Sequence, residues 1–246
     1  HPAPPLAARP NRISVTGVDQ LARDPFAFYA AKILRLSELD SLSSGPDAKW
    51  FGIRVHKFLQ DWQTAGLTEA AFDTELAALR SDPALDSLAS AFWLPRIEPS
   101  LRWAAERVWA ARDERWPVAN EVRGEQIVDG ILLHGTADRV DQTAEGTLAI
   151  VDYKTGAAPS GKSTGDGLNS QLGLLGLLAQ EAGLGDLAPE IVDAFEYWEL
   201  KRDRKKAVDG AVKAIRGQKP KPATAAAVVE RAREVLADLS ARYLLG

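Results

Sequence analysis

Gly135-Thr136-Ala137-Asp138-Arg139-Val140-Asp141, followed by Leu148-Ala149-Ile150-Val151-Asp152-Tyr153-Lys154-Thr155-Gly156, decides how this chain is read. Asp152 and Lys154 are two apart, so on a strand both side chains point to one face. Asp138 follows the apolar run Ile131-Leu132-Leu133 and can lie opposite them across a turn near Glu145 and Gly146. Two carboxylates and an ammonium converging at strand ends suit metal-assisted phosphodiester hydrolysis. The acids hold a hard divalent cation through oxygen, and the lysine steadies an attacking water or the charge of the transition state.

An Asp-x-Lys taken alone reads equally as a solvated ion pair on an edge strand, which is common and worth little. Three features favour chemistry instead. The strand is apolar up to Asp152, so the charges sit where a buried strand emerges. Asp138 arrives at a matching place in the sequence. Gly156 follows at once and permits close backbone approach to a ligand.

The chain has 246 residues, 46% hydrophobic and 26% charged, enough for one large domain or two small ones. No apolar run approaches the length of a membrane span and no secretory signal is visible. The first residue is His1 rather than Met, as expected of a piece of something larger. The absence of cysteine excludes disulfides, thiolate zinc sites, cysteine nucleophiles and a cysteine-ligated iron–sulfur cluster. A net charge of −4 excludes a generic polyanion binder; a nucleic-acid enzyme with this balance must focus positive potential locally or borrow it from metal ions and partners.

Along the chain, residues 1–10 read as Pro-rich linker. Thr16 is a candidate N-cap for a helix running to about residue 36, with Asp19, Arg23 and Lys32 on its polar side. A Ser/Gly-rich loop covers 40–46, and helices are expected over 48–64, 69–80, 83–90 and 95–112. Residues 121–153 carry the alternation and turns of three strands. A loop to about 167, a helix over 168–181 with Gln171 in its first turns, a strand over 191–200, a charged loop over 201–206 and an Ala-rich helix over 223–244 complete the order. The pattern is a sheet with helices packed on it. Trp50, Phe58 and Trp62 read as core rather than base-stacking surfaces, and His134 as structural.

The order and spacing of several pieces carry a resemblance. They are Ser14-Val15-Thr16-Gly17-Val18 with Asp24-Pro25-Phe26-Ala27-Phe28-Tyr29, Gly52-x-x-x-His56, and Phe92-Trp93-Leu94-Pro95-Arg96. The Asp138 and Asp152 segments follow, then Gly167-Leu168-Asn169-Ser170-Gln171-Leu172 and Tyr197-Trp198-Glu199-Leu200. Together they resemble the RecB-type branch of the PD-(D/E)XK nuclease superfamily. Within it they resemble the C-terminal nuclease domain of the AddB family of helicase–nucleases, alphaproteobacterial type. The resemblance implies an α/β restriction-endonuclease-like core, a central mixed sheet flanked by helices, with an N-terminal helical part. Residues 1–12 would be linker and 13–246 a single nuclease domain, its helical part (13–116) carrying His56 and its remainder (117–246) the sheet core and last helix.

By the same resemblance Asp138, Asp152 and His56 hold metal, with the Tyr153 carbonyl and Glu121 as further ligands and Glu125 as the competitor for the last place. Lys154 orients or deprotonates water, and Gln171 contacts the lysine region or the DNA backbone. The implied activity is a Mg²⁺-dependent, Mn²⁺-tolerant, exonuclease-type deoxyribonuclease acting on single strands or unwound ends during double-strand-break repair. Its partners would be DNA, an AddA-like helicase–nuclease subunit and the rest of its own chain, in the cytoplasm. A stand-alone RecB-like exonuclease and a degenerate nuclease fold serving as a DNA-binding module stay open. Two departures stand out: Leu175 occupies the place of a tyrosine found in many relatives, and Asp24 that of an iron–sulfur cysteine. Gly156 to Ser163 fits a Walker A pattern, but the glycines of Thr164-Gly165-Asp166-Gly167 are expected to break a helix starting at Lys162, so the loop reads as a connection.

Overall fold

A computed structural model describes residues 4–37, 47–85, 87–165, 167–202, 207–215 and 223–245. Among them a mixed six-stranded sheet is built around one long strand. Strand β1 (Arg12–Ser14) comes first, then β2 (Arg115–Val128), β3 (Ile131–Thr143), β4 (Leu148–Lys154), β5 (Val192–Glu199) and β6 (Ala211–Ala214). One edge of β3 pairs antiparallel with β2 along its length. The other edge is shared: β1 runs parallel beside Leu132–His134, and β4 runs antiparallel beside Arg139–Gln142. Parallel β5 and antiparallel β6 then extend the sheet beyond β4. Between the shares taken by β1 and β4, a few residues of β3 ending at Asp138 lack a ladder partner on that side.

Helices cover both faces. Helices α1 (Val15–Arg23), α2 (Pro25–Lys32), α7 (Gln171–Glu181) and α8 (Ala225–Leu239) bury one core against Leu133, Val140, Ile150, Phe195 and Tyr197. Helices α3 (Ala48–Thr64), α4 (Glu69–Arg80) and α5 (Ser87–Ala110) bury a second core against Val151, Tyr153, Trp198 and Leu200. Alternate residues of β4 and β5 thus feed opposite cores, as the strand period requires. Both faces of β4 are covered and β3 and β5 flank it, so the edge-strand reading of Asp152 and Lys154 fails. Strand β4 pairs parallel with β5 and stays buried through Tyr153.

The helices expected over 48–64 and 69–80 form with those bounds, capped by Asp47 and Thr68, whose side chains accept from Trp50 N and Ala71 N. The first helix differs. Ser14, not Thr16, is its N-cap, and the chain breaks at Asp24, whose carboxylate caps α2 by accepting from Ala27 N. Pro25 at the first position of α2 has no N–H to offer an earlier turn, so one helix becomes two. The two helices expected over 83–90 and 95–112 are one, α5, with Pro95 and Pro99 inside it. Burial of Ile97, Leu101, Ala104 and Val108 along one stripe outweighs the hydrogen bonds those prolines remove. The last helix ends at Leu239 and closes in a wider π turn, Ser240–Leu245. The loop expected over 40–46, and residues 203–206 of the one expected over 201–206, lie outside the described residues. No described helix is long and apolar enough to cross a membrane.

Candidate active site

The ladder registers set three carboxylates in a row. Asn120 pairs with Arg139 and Val122 with Ala137, so Glu121 stands across from Asp138. One step beyond the Arg139–Val151 pair, Asp138 stands across from Asp152. Strands β2 and β3 both slip phase here. Ala137 and Val140 belong to the same core although three residues apart, and Ala119 and Val122 do the same on β2. An unbroken strand would send such residues to opposite faces. Glu121 absorbs the slip on β2 with φ +44°, a left-handed conformation that costs free energy in a non-glycine residue. The kink turns Glu121 and Asp138 out of the sheet toward α3.

His56 of α3 meets them there. Its Nδ1 lies 3.5 Å from Glu121 Oε1 and 3.6 Å from Asp138 Oδ2, and its Nε2 lies 3.2 Å from the Tyr153 carbonyl. In the tautomer that donates Nε2–H to Tyr153, Nδ1 keeps its lone pair between the two carboxylates. One ligand atom each from His56, Glu121 and Asp138 lie within 4.8 Å of one another. One imidazole nitrogen and carboxylate oxygens at that spacing fit a hard or borderline divalent cation. Asp152 stands beside this trio, with Oδ1 accepting from Gln171 Nε2 at 2.7 Å and Oδ2 2.5 Å from Lys154 Nζ. The Tyr153 amide donates to Asp138 Oδ2 at 2.8 Å, tying the second strand to the first acid.

Electrostatics follow from burial and crowding. Burial, then the Asp152 charge, push the Asp138 carboxyl from 3.8 up to about 7, against the pull of His56 and the Tyr153 amide. Burial also raises Asp152, opposed first by Lys154 and then by His56 and Gln171. For His56, burial acts to lower the pKa, but the hydrogen bond and charge of Glu121 and the charges of Asp138 and Asp152 outweigh it and raise it. Such a cluster favours protons until a cation replaces them.

The structure therefore brings His56, Glu121, Asp138, Asp152, Lys154, Gln171 and the Tyr153 carbonyl into one place. Glu125 lies apart: it is exposed, pairs with Arg123 and stands opposite His134 on β3. Phe58 and Trp62 are buried in the α3 core and Trp50 packs against it. The Walker-like loop makes only a one-turn helix, α6 (Gly161–Gly165), and its Ser163 amide is taken by the Ser160 hydroxyl.

Two residues without an expected role support the site. Asp19, expected on a polar face, is 8% exposed, and its Oδ1 accepts from the Ser170 amide at 2.7 Å. The Ser170 side chain makes no cap bond, so Asp19 caps α7 from another helix and sets the position of Gln171. Burial raises its pKa, opposed by bonds from the Ser170 and Gln171 amides. The signal was its place four residues after Val15, on the buried stripe of α1. Arg139 is the other: buried, it donates to Tyr153 Oη at 2.8 Å, pairs with Asp141 at 2.8 Å and lies 4.1 Å above the Trp198 ring. It thereby fixes Tyr153, whose backbone touches both His56 and Asp138. An Arg-x-Asp pair inside an apolar strand was the available clue.

A sequence model of the PD-(D/E)XK nuclease superfamily matches residues 12–244. An uncharacterized protein of Rickettsia bellii is 28% identical over 188 residues, 71% of this chain and 22% of that protein. An ATP-dependent helicase/deoxyribonuclease subunit of Streptococcus equi subsp. zooepidemicus is 26% identical over 160 residues, 61% of this chain and 14% of that relative. The chain thus spans a small part of the length of these relatives. A solved structure, "Crystal structure of SSO0001", aligns at 15% identity over 92% of this chain and 76% of that one, with a TM-score of 0.35.

Proposed function

The chain belongs to the PD-(D/E)XK nuclease superfamily, and from that premise we propose that it is a divalent-metal-dependent deoxyribonuclease whose site is the cluster around Asp138 and Asp152. The observation that carries the reading is the convergence of His56, Glu121 and Asp138 beside the Asp152–Lys154 pair. His56 (through Nδ1), Glu121 and Asp138 would hold the cation, Mg²⁺ or Mn²⁺, with Asp152 beside them; the Tyr153 carbonyl, expected as a further ligand, accepts from His56 Nε2 and orients the imidazole instead. Bound there, it supplies Lewis-acid polarisation of the scissile phosphate and a more acidic water.

The chain's own groups do the rest. Lys154, held by Asp152, orients the attacking water and balances negative charge as the phosphorus–oxygen bond to the leaving 3′ oxygen breaks. Gln171 fixes the Asp152 carboxylate so that its second oxygen faces Lys154. The partly buried site limits competing water around these charges. Groups that act on the phosphate and its leaving oxygen carry no sequence information, which agrees with cleavage without sequence preference.

The streptococcal helicase/deoxyribonuclease relative supports a finer reading. We take residues 13–246 as the nuclease domain of an AddB-like protein that works in the cytoplasm with an AddA-like partner. It would trim single strands, as an exonuclease, during double-strand-break repair. A stand-alone exonuclease is the alternative.

The test uses an end-labelled single-stranded oligonucleotide with Mg²⁺ or Mn²⁺. Wild-type protein should cut it and chelator should stop it. Asp152→Ala and Lys154→Ala should each lose about a hundredfold or more in rate with unchanged circular dichroism. Cutting at the wild-type rate by either variant would overturn the assignment.

A further inference from the structure

A groove of about 860 Å³ opens beside the site, and nothing in the mechanism above uses it. Thr155 and Gly156 line one end, and they follow Lys154 directly. Phe51 lines it from α3, five residues before His56 on the same helix. Between them Gly52 faces the loop: a Cβ there would stand 3.4 Å from Thr155 Oγ1. Groove and site are therefore neighbours separated by a single close approach of helix and loop.

The lining has two characters. Phe51, Ile97 and Leu200 are buried and make an apolar floor. The rim is aromatic and cationic. Phe92 is 49% exposed, the Arg96 guanidinium lies 3.5 Å from its ring centroid, and Trp93 meets Phe92 edge-on at 5.0 Å while stacking on Phe51 at 4.4 Å. Lys201 and Arg202 complete the rim from the segment after β5. Lys201 leans on Glu199 at 3.6 Å, but that carboxylate already receives Lys213 at 2.6 Å and the Ala158 amide at 2.7 Å. Arg202 lies 3.5 Å from Asp209. Cations thus crowd an exposed aromatic surface in a chain whose net charge is −4.

We propose that this groove is the track for single-stranded DNA entering the site, with bases stacked on Phe92 and Arg96 and the backbone held by Arg96, Lys201 and Arg202. Planar rings and guanidinium groups stack on any base, and neighbouring cations track the phosphates, so the surface is sequence-tolerant by construction. Continuity with Thr155 and Gly156 delivers the strand to Lys154. A duplex is a poor occupant, because its bases are already stacked on one another. The inference rests on the nuclease reading of the adjacent site, but its test does not need cleavage.

Binding of a fluorescein-labelled oligothymidylate is measured by anisotropy in EDTA, so that the strand stays intact. Phe92→Ala and Arg96→Ala should each weaken binding by about tenfold. Lys201→Ala should flatten the dependence of affinity on salt. Mn²⁺ uptake by calorimetry should be unchanged in all three, because none of them lies in the acidic cluster. A blunt hairpin duplex should bind weakly and be indifferent to Phe92→Ala. Wild-type affinity for the single strand in both Phe92→Ala and Arg96→Ala would overturn the proposal and leave the groove as a protein contact. An equal loss for the duplex would overturn its single-strand assignment. Failure of the nuclease reading would look different: no cutting by wild type in Mn²⁺, whatever the groove binds.

Discussion

Asp138 shows how one carboxylate couples folding to chemistry. It sits at the phase slip of β3, receives the Tyr153 amide and faces both His56 and Asp152. Its pKa, pushed from 3.8 to about 7 by burial and the Asp152 charge, means that the folded chain holds more protons than the unfolded one between those values. The stability this group contributes is therefore complete below 3.8 and is lost as pH rises through about 7. Asn at this position keeps an oxygen for the Tyr153 amide but carries no charge. In chelator, the stability advantage of Asp138→Asn over wild type should grow by on the order of 1–3 kcal/mol between about pH 5 and about pH 8, while cleavage is lost. Denaturant melts at both pH values check this. A stability difference that does not change with pH would refute the picture of a destabilised, metal-awaiting acid.

At the scale of elements, α7 carries the site from below. It is buried on nearly every side, and Gly173 lets it touch α8: a Cβ there would stand 2.6 Å from Ala232 Cβ and 2.7 Å from the Val228 carbonyl. Alanine usually favours a helix over glycine by about 1 kcal/mol, but here it meets backbone. Gly173→Ala should destabilise by about 1–3 kcal/mol, read from urea melts; a stabilised variant would show that α8 yields freely. The Asp19 cap has a second readout. Asp19→Ala should cost about 1–2 kcal/mol and lower kcat through a misplaced Gln171, while Asp19→Asn, which still accepts, restores the rate. No rescue by Asn would assign Asp19 a charge-dependent role instead. Long periodic pieces were legible without coordinates: α3 and α4 with their bounds, the three-strand meander, and the opposition of Asp138 and Asp152. What escaped had physical reasons. Strands β1 and β6 are three and four residues long and too short to show a period. Pro95 of α5 signalled a break that core burial overrode, whereas Asp24-Pro25, an N-cap carboxylate before a proline, marked a break that the helix expected to about residue 36 ran through. Asp19 and Arg139 left only faint signals as supports, because Ser170 lies far along the chain from Asp19 and Tyr153 and Trp198 lie across the sheet from Arg139.

The whole molecule places the site where its two helical layers meet the sheet. His56 comes from the α3–α5 layer, Gln171 and Asp19 from the α1–α7–α8 layer, and the acids from the kinked strands between them. Without a cation, the α3 layer meets Glu121 and Asp138 through the His56 imidazole, and burial and crowding favour protons on His56 and Asp138. A divalent ion at His56, Glu121 and Asp138 would replace those protons and bind α3 to β2 and β3. A ligand that binds only the folded chain stabilises it by about 2.7 kcal/mol at a hundredfold excess over its Kd. Mn²⁺ should therefore raise Tm by several degrees, and more at about pH 8 than at about pH 5.5, where protons compete for the same groups. His56→Ala leaves the sheet and both cores in place and should keep its chelated stability within about 1 kcal/mol of wild type. It should nonetheless lose most of the Mn²⁺ shift, because the link from α3 to the sheet is gone. Glu121→Gln should do the same while retaining the left-handed backbone at that position. If both variants keep the full shift, the ion binds elsewhere, and the meeting of the two layers at His56 is packing rather than a metal-held joint.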